Sequence, residues 1–470
     1  MPGKIMNHVS IDLGASGGRV ALGAVKDGIL DFEIIHRFPN RPIRLGKHFY
    51  WDILSLWKEI REGLRLCGKK GNVSSIGVTT WGLDYVLLDH ELQPLGMVHA
   101  YRDSRTSGVY EAIATQASRH EIYSKTGIQF MDVNTLCQLV ATKRDTPQQL
   151  NNAAHFLLLP DLLNFWLTGR IVSEHTNAST TQLYDPRQRR WSDSLINTLG
   201  LPRRIFPELV EAGTVIGPLL PDIVEDIGLQ DAVVVVPATH DTASAVAALP
   251  VEPGTNYSYI SSGTWCLVGI ETPAPVISEA GLAANVTNEQ GIHGTTRLLK
   301  NETGLFILQE SMRGWGDPPI EQVLAAAGKV KPDMIIDVND PLFHHPGIDM
   351  PERIATWCQA RGMRRPEGIA EISSVIIHSL GKRLAKSLSL VAHVGGKSIE
   401  RVHIVGGGSR ISLLNQAIAD ESGLEVVAGP VEATTAGNIL VQAEATGVIP
   451  KGTARAVMRR SAKIEIIRPS

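Results

Sequence analysis

The stretch His8-Val9-Ser10-Ile11-Asp12-Leu13-Gly14-Ala15-Ser16-Gly17-Gly18-Arg19-Val20-Ala21-Leu22-Gly23-Ala24-Val25 sets a glycine-rich turn between two runs of β-type residues. Val9, Ile11 and Leu13 alternate with other residues, the period of a half-buried strand. Val20 and Leu22 belong to a second run that ends on Asp27-Gly28, a tight-hairpin pair. In dinucleotide-binding and Walker loops the glycines lead into a helix, whose N-terminus faces the phosphate. No helix follows here. The unhindered backbone N–H groups of such a turn still form a nest for anionic oxygens.

The pattern recurs. Tyr257-Ser258-Tyr259-Ile260-Ser261-Ser262-Gly263-Thr264-Trp265-Cys266-Leu267-Val268-Gly269-Ile270 is again strand, small turn, strand. Taken singly, each is also an ordinary glycine-rich hairpin; two of them in opposite halves point to a duplicated core with one nucleotide held between the halves. In the first half, Ile29 to Arg37 reads as a third strand. Asp52 then caps a helix with Ile53, Trp57, Ile60 and Leu64 on its apolar face. Strands at Ser75–Thr80 and Tyr85–Leu88 complete a mixed sheet. Residues 110 to 220 read as helix-rich insertions, and Ala232–Pro237 as a further strand. The second half gives a long helix at about 370 to 394, with Ile376, Leu380, Leu384, Leu388 and Val391 at helical spacing. A strand at Arg401–Val405, a helix from 411 to 422, a strand at Glu425–Ala428 and a helix from 433 follow. Pro250, Pro253 and Gly254 break the pattern, which divides the chain into domains 1–249 and 250–470.

Composition narrows the function. A net charge of -3 gives no steering toward nucleic acid or an anionic membrane. The best candidate membrane span, Phe156 to Leu167, is short and carries Pro160, Asp161 and Asn164. Met1 to His8 is too short and polar for a secretory leader. Cys67, Cys137, Cys266 and Cys358 show neither metal-ligand spacing nor a disulfide framework, which suits a reducing cytoplasm.

Phosphoryl transfer needs a phosphate cradle, a metal and a base for the attacking hydroxyl. Asp12, beside the first glycine turn, offers an oxygen to Mg²⁺, directly or through water. It equally fits an Asx-turn that caps the loop. Arg19 fits a phosphate ligand or a solvated strand residue. Asp241 follows the apolar run Val233–Val236 and precedes Ala243-Ser244-Ala245-Val246, at a strand-to-helix corner. There it serves as general base or as helix N-cap. His240 beside it is a ligand for a substrate oxygen or a structural histidine. Gly406-Gly407-Gly408 either admits a flat ring or sugar to the backbone or makes a tight turn. Arg102-Asp103-Ser104-Arg105 reads as a surface or inter-element ion cluster.

These residues resemble the FGGY carbohydrate kinases. The resemblance lies in Asp12–Arg19, Thr80-Trp81-Gly82-Leu83-Asp84, His240-Asp241-Thr242-Ala243-Ser244-Ala245, Ser261-Ser262-Gly263-Thr264-Trp265 and Val405–Gly408. Within that family the L-rhamnulose kinases are the nearer match, through Ala100–Arg105, Asn177–Leu183, Ala283–Glu289 and Ala428–Ala433. The likeness spans His8 to Gly447. It implies an α/β fold of two actin-like (ribonuclease H-like) domains, each a mixed sheet flanked by helices, with an interdomain cleft. It implies ATP-dependent phosphorylation of L-rhamnulose at its C1 hydroxyl, with Mg²⁺. It also implies roles. Asp241 becomes the catalytic base. Gly82, His240, Asp241 and Thr242 contact the sugar on the N-terminal domain, and Asn301 is a further sugar or site residue. Ala15, Ser16, Gly17, Gly18, Arg19, Thr264, Gln309 and Gly407 hold ATP, and Asp12 the metal. Glu302-Thr303 depart from the apolar residues expected after Asn301. The alternatives are a kinase of L-fuculose or L-xylulose, or an actin-like ATPase that is not a kinase.

The cysteine spacing carries its own test. Thiol titration of the denatured, unreduced protein should count four thiols; a lower count contradicts the disulfide-free reading.

Overall fold

The computed structural model describes residues 6–345 and 347–470. Met1–Ile5, part of the stretch read as no leader, lie outside the described residues. The chain forms two compact units. The first takes Met1–Pro250, Glu271–Leu298 and Ala433–Ser461; the second takes Val251–Ile270, Leu299–Glu432 and Ala462–Ser470. The division into contiguous halves therefore differs at two places, 271–298 and 433–461, which return to the first unit.

The first unit is built on a six-stranded sheet. Its spatial order is Thr214–Pro218, Val233–Val236, Val73–Thr79, Asn7–Gly14, Gly17–Lys26 and Ile29–Pro39. The three N-terminal strands form an antiparallel meander, and Val73–Thr79 and Val233–Val236 add to it in parallel. Asp12 stands opposite Arg19, and Arg19 opposite Arg37, so the three share one face of the sheet. Gly18 is dictated by packing: a Cβ there would come within 2.2 Å of the Phe38 ring. The helix Ile53–Lys70 is capped by Asp52, whose side chain accepts from Ser55 N at 3.0 Å. Its buried face is Leu56, Ile60, Leu64 and Cys67, with Ile53 and Trp57 only half-buried.

Two expectations change. Tyr85–Leu88 is a strand, but it pairs with His155–Leu158 in a separate ladder outside the main sheet. Leu83, at a left-handed φ of 80°, turns the chain away just before it. The edge strand Thr214–Pro218 lies inside the region read as helical insertion. The rest of that region does carry short helices around a core of its own, with Phe156, Trp191 and Phe206 at its centre.

A seven-stranded sheet runs Thr287–Gln290, Thr296–Thr303, Trp265–Thr272, Tyr257–Ser262, Arg401–Val405, Glu425–Ala428 and Glu465–Ile467. From Thr296–Thr303 to Glu425–Ala428 it repeats the strand order of the first sheet: third, second, first, fourth, fifth. This is the duplicated actin-like plan. The helix Gly368–Gly395 packs its buried Ile376, Leu380, Leu384 and Leu388 into the core of the second unit.

The helix Ala433–Ala445, expected to close the second half, packs instead on the first sheet and on the helix Asp241–Ala247. Gly437 makes the approach possible, since a Cβ there would sit 1.8 Å from the Ser244 carbonyl oxygen. Helix propensity favours Ala over Gly by about 1 kcal/mol, whereas overpacking costs about 1–3 kcal/mol. Gly437→Ala should therefore lower the urea midpoint of unfolding; a raised midpoint would mean that the two helices separate freely.

Candidate active site

The first glycine turn comprises Ala15 and Ser16, with Gly14 and Gly17 paired beneath it. A pocket of about 350 Å³ lies against it, lined by Gly14 and Ser16–Arg19 on one side and Arg37–Pro39 on the other. Asp12 is buried at the base of the hairpin, 3.6 Å from Arg19 Nε, and its Oδ2 accepts from Thr435 Oγ1 at 3.0 Å. Arg37 was not singled out from the sequence. A regular two-residue hairpin at Asp27-Gly28 would put His36 opposite Arg19; a bulge between Val20 and Ala21 shifts the register to Arg37.

Asp241 is the first residue of its helix, and His240 holds the N-cap position. The corner is fixed by a parallel bridge between Thr80 and His240, with Asp241 N donating to Thr80 O at 2.9 Å. Oδ1 of Asp241 accepts from Thr242 N at 2.5 Å, and the side chain remains 29% exposed, open to a reactant. Below the corner lies Glu174, fully buried. It accepts from Thr239 N and Thr239 Oγ1, each at 2.9 Å, and from Thr176 N at 2.8 Å. Thr176 Oγ1 in turn accepts from His240 N at 3.2 Å. Adjacent threonines of the helix 433–445 join the two aspartates: Thr435 bonds the Asp12 carboxylate, and Thr434 Oγ1 donates to Asp241 O at 3.2 Å.

Gly82 also lies in this unit, where a Cβ would come to 2.9 Å from Thr180 Oγ1. The neighbouring Asp84 accepts from Trp51 Nε1, Trp81 Nε1, Gln138 Nε2 and Tyr101 N. Burial raises its carboxyl to about 6, against the opposing pull of these donors. Two buried ionic residues, Arg297 and Glu289, were missed in the sequence. They meet His240 through Arg297 Nη2, 3.0 Å from both Glu289 Oε2 and His240 Nδ1. Glu289 fell within a quoted run, but nothing local marks its partner.

Of the two readings of the run 102–105, Asp103 follows the inter-element one. It is buried and accepts from Phe49 N, Arg105 N and His48 Nδ1. His48, His99 and Asp103 offer ligand atoms within 4.8 Å of one another. The hydrogen bonds to Asp103 and the repulsive charge of Arg105 on His99 make this a bonded turn, and no metal is assigned to it.

In the second unit, Thr264 Oγ1 lies 3.4 Å from Gln309 Oε1. Gly406, at a φ of 83°, and Gly408 both pack on Ser262, where a Cβ on Gly408 would meet Oγ at 1.9 Å. A Cβ on Gly407 would meet nothing within 4 Å, so of the three glycines this one has space before it. Asn301 is half-buried on the strand Thr296–Thr303. Glu302 is buried and bonded by Arg383 Nε at 2.9 Å, Ser387 Oγ at 2.5 Å and Asn339 Nδ2. Its charge is thus met inside this unit. Among the described residues, no helix is long and apolar enough to cross a membrane. All four cysteines are buried and free; burial pushes the Cys67 and Cys137 thiols up to about 12.

Comparison with known proteins gives the family and the fold. The model described as FGGY family of carbohydrate kinases, N-terminal domain, matches residues 8–248, and that of the C-terminal domain matches 258–446. The chain is 42% identical to a protein named Rhamnulokinase from Bacteroides thetaiotaomicron, over 94% of this chain and 91% of that one. It is 41% identical to a Rhamnulokinase from Klebsiella pneumoniae, over 93% and 89%. In fold it is similar to xylulose kinase from Lactobacillus acidophilus (TM-score 0.80, 13% identity, 99% and 94% covered). It is also similar to Plasmodium falciparum glycerol kinase with ADP (TM-score 0.76, 14% identity, 99% and 95% covered).

The Asp84 cluster predicts a pH dependence. A buried acid raised from 3.8 to about 6 favours the fold most below its unfolded value. That contribution is lost as pH rises through about 6, a change of about 3 kcal/mol. Relative to wild type, Asp84→Asn should therefore gain that much stability between about pH 4 and pH 7, followed by urea titration. A pH-independent difference would show Asp84 ionised throughout.

Proposed function

The chain belongs to the FGGY family of carbohydrate kinases, and from that premise we propose that it transfers the γ-phosphoryl group of ATP to the C1 hydroxyl of L-rhamnulose. The products are L-rhamnulose 1-phosphate and ADP, a step of L-rhamnose breakdown. The proteins named Rhamnulokinase, at 41–42% identity over more than nine-tenths of this chain, support the choice of sugar. One geometric observation carries the chemistry: Thr434 and Thr435 tie the base candidate and the phosphate hairpin to consecutive residues of one helix.

Asp241 accepts the proton of the C1 hydroxyl as that oxygen attacks the γ-phosphorus. Its side chain, at the first position of a helix and partly exposed, is placed to meet that hydroxyl. His240, Thr242, Gly82 and Asn301 hold the sugar. The backbone N–H groups of Ala15–Gly18 and the Arg19 guanidinium receive phosphate oxygens, where charge spreads during transfer. Thr264, Gln309 and Gly407 contact the nucleotide. Asp12 fits Mg²⁺ as an oxygen donor beside this hairpin, with Thr435 fixing its orientation. When bound, the metal supplies positive charge to the phosphate oxygens. Four buried free thiols suit a cytoplasmic setting.

The test is ADP release by purified protein with Mg·ATP and L-rhamnulose, L-fuculose or L-xylulose, the product's phosphate position being read by NMR. L-Rhamnulose should give the highest kcat/KM and a 1-phosphate; preference for another ketose overturns the assignment of the sugar. Asp241→Asn should cut kcat by roughly 100-fold or more and leave ATP binding nearly intact. Near-wild-type turnover would remove Asp241 as the base.

A further inference from the structure

We propose that Arg297, held by Glu289, locks His240 as a neutral ring with its proton on Nε2, and so makes it a hydrogen-bond donor to the sugar. This rests on the reading of His240 as a sugar ligand and names how that ligand is set. Arg297 is fully buried, and its Nε donates to Gln290 O at 3.1 Å. Its Nη2 lies 3.0 Å from both Glu289 Oε2 and His240 Nδ1. A guanidinium only donates. Nδ1 of His240 must therefore accept, and the ring proton sits on Nε2.

Nε2 faces Asp241, with Oδ1 at 3.5 Å. That separation is too long for a good hydrogen bond, so the N–H remains available to an incoming oxygen. Glu289 balances the Arg297 charge, which would otherwise be costly at this depth. Its Oε2 lies 3.4 Å from Nδ1 of the ring. Without Arg297 it becomes the acceptor for a proton on Nδ1. The arginine thus decides between two arrangements of one ring. Arg297 is a positioning residue. Its Nη1, buried without a hydrogen-bond partner among the described residues, supplies the rival reading, a direct contact with the substrate.

Nitrogen NMR of protein labelled at histidine, with His240 assigned through the His240→Gln spectrum, tests this directly. Wild type should show His240 protonated on Nε2 alone near neutral pH. Arg297→Met should move the proton to Nδ1, raise the ketose KM by about tenfold and leave the ATP KM unchanged. Arg297→Lys, which restores a charged donor, should recover part of both effects. A proton on Nδ1 in the wild-type protein overturns the proposal, and so does a tautomer unchanged in Arg297→Met. A raised KM without a change of tautomer assigns Arg297 to direct contact instead and overturns it as well. The wild-type spectrum requires no variant to fold. It also stands whether or not L-rhamnulose is the substrate, so failure of the lock and failure of the kinase reading give different results.

Discussion

A one-way chain of buried hydrogen bonds fastens the helix 433–445 to the first sheet, and the arrangement of the site follows from it. Gln442 Oε1 accepts from Ser75 Oγ at 2.6 Å. Ser75 has then spent its proton, so His8 Nδ1, 2.8 Å away, must be the donor to it. Burial lowers His8 to about 4, in keeping with a neutral ring. Gln442 Nε2 donates onward to Val9 O at 2.9 Å and Asn438 Oδ1 at 2.6 Å, and Asn438 Nδ2 donates to Gly77 O at 3.1 Å. Apolar side chains would bury comparable surface, but they would tolerate sliding of the helix along the sheet. Directional bonds to named carbonyls do not. Gly77 is part of the device, because a Cβ there would lie 2.5 Å from Asn438 Oδ1.

The register so imposed has chemical consequences. One turn before Asn438 the same helix presents Thr434 and Thr435, whose hydroxyls reach the Asp241 carbonyl and the Asp12 carboxylate. A slip of one residue would turn both away. Two carboxylates that the proposed mechanism uses, each following a different strand, are tied by a third element. Errors of about 1 Å in such placement cost orders of magnitude in rate, so a rigid helix is a better tie than a loop.

The hairpins, the Asp241 corner and most of the strands were legible because each is written in a short window. Period-two alternation, a small-residue turn and a helix start need only a dozen residues. The return of 433–461 to the first unit was not legible. Its amphipathic pattern is ordinary, and the residues that choose its partner are polar: Asn438 and Gln442 look like surface residues until Ser75 and Gly77 are set beside them. Arg37 was hidden by a single bulge that shifts the register of the meander. The sequence left Asp103 between a surface and an inter-element place because Arg102, Ser104 and Arg105 around it suit either, whereas the backbone N–H groups of Phe49 and Arg105 hold it inside. Arg297 and Glu289 are close in sequence, yet nothing local ties them to His240.

Buried carboxylates recur around the site, and their differing partners explain their differing duties. Glu174 is ringed by neutral donors from Thr176 and Thr239, and burial raises its carboxyl. Asp161, bonded to Ser173 Oγ at 2.6 Å, is raised well above the usual range by burial, and the Glu174 charge adds to this. Asp241 differs in kind: it is partly exposed at the start of a helix, and no arginine is bonded to it among the described contacts. The partly exposed Asp241 is thus neighboured by buried carboxylates whose hydrogen bonds hold the backbone in place.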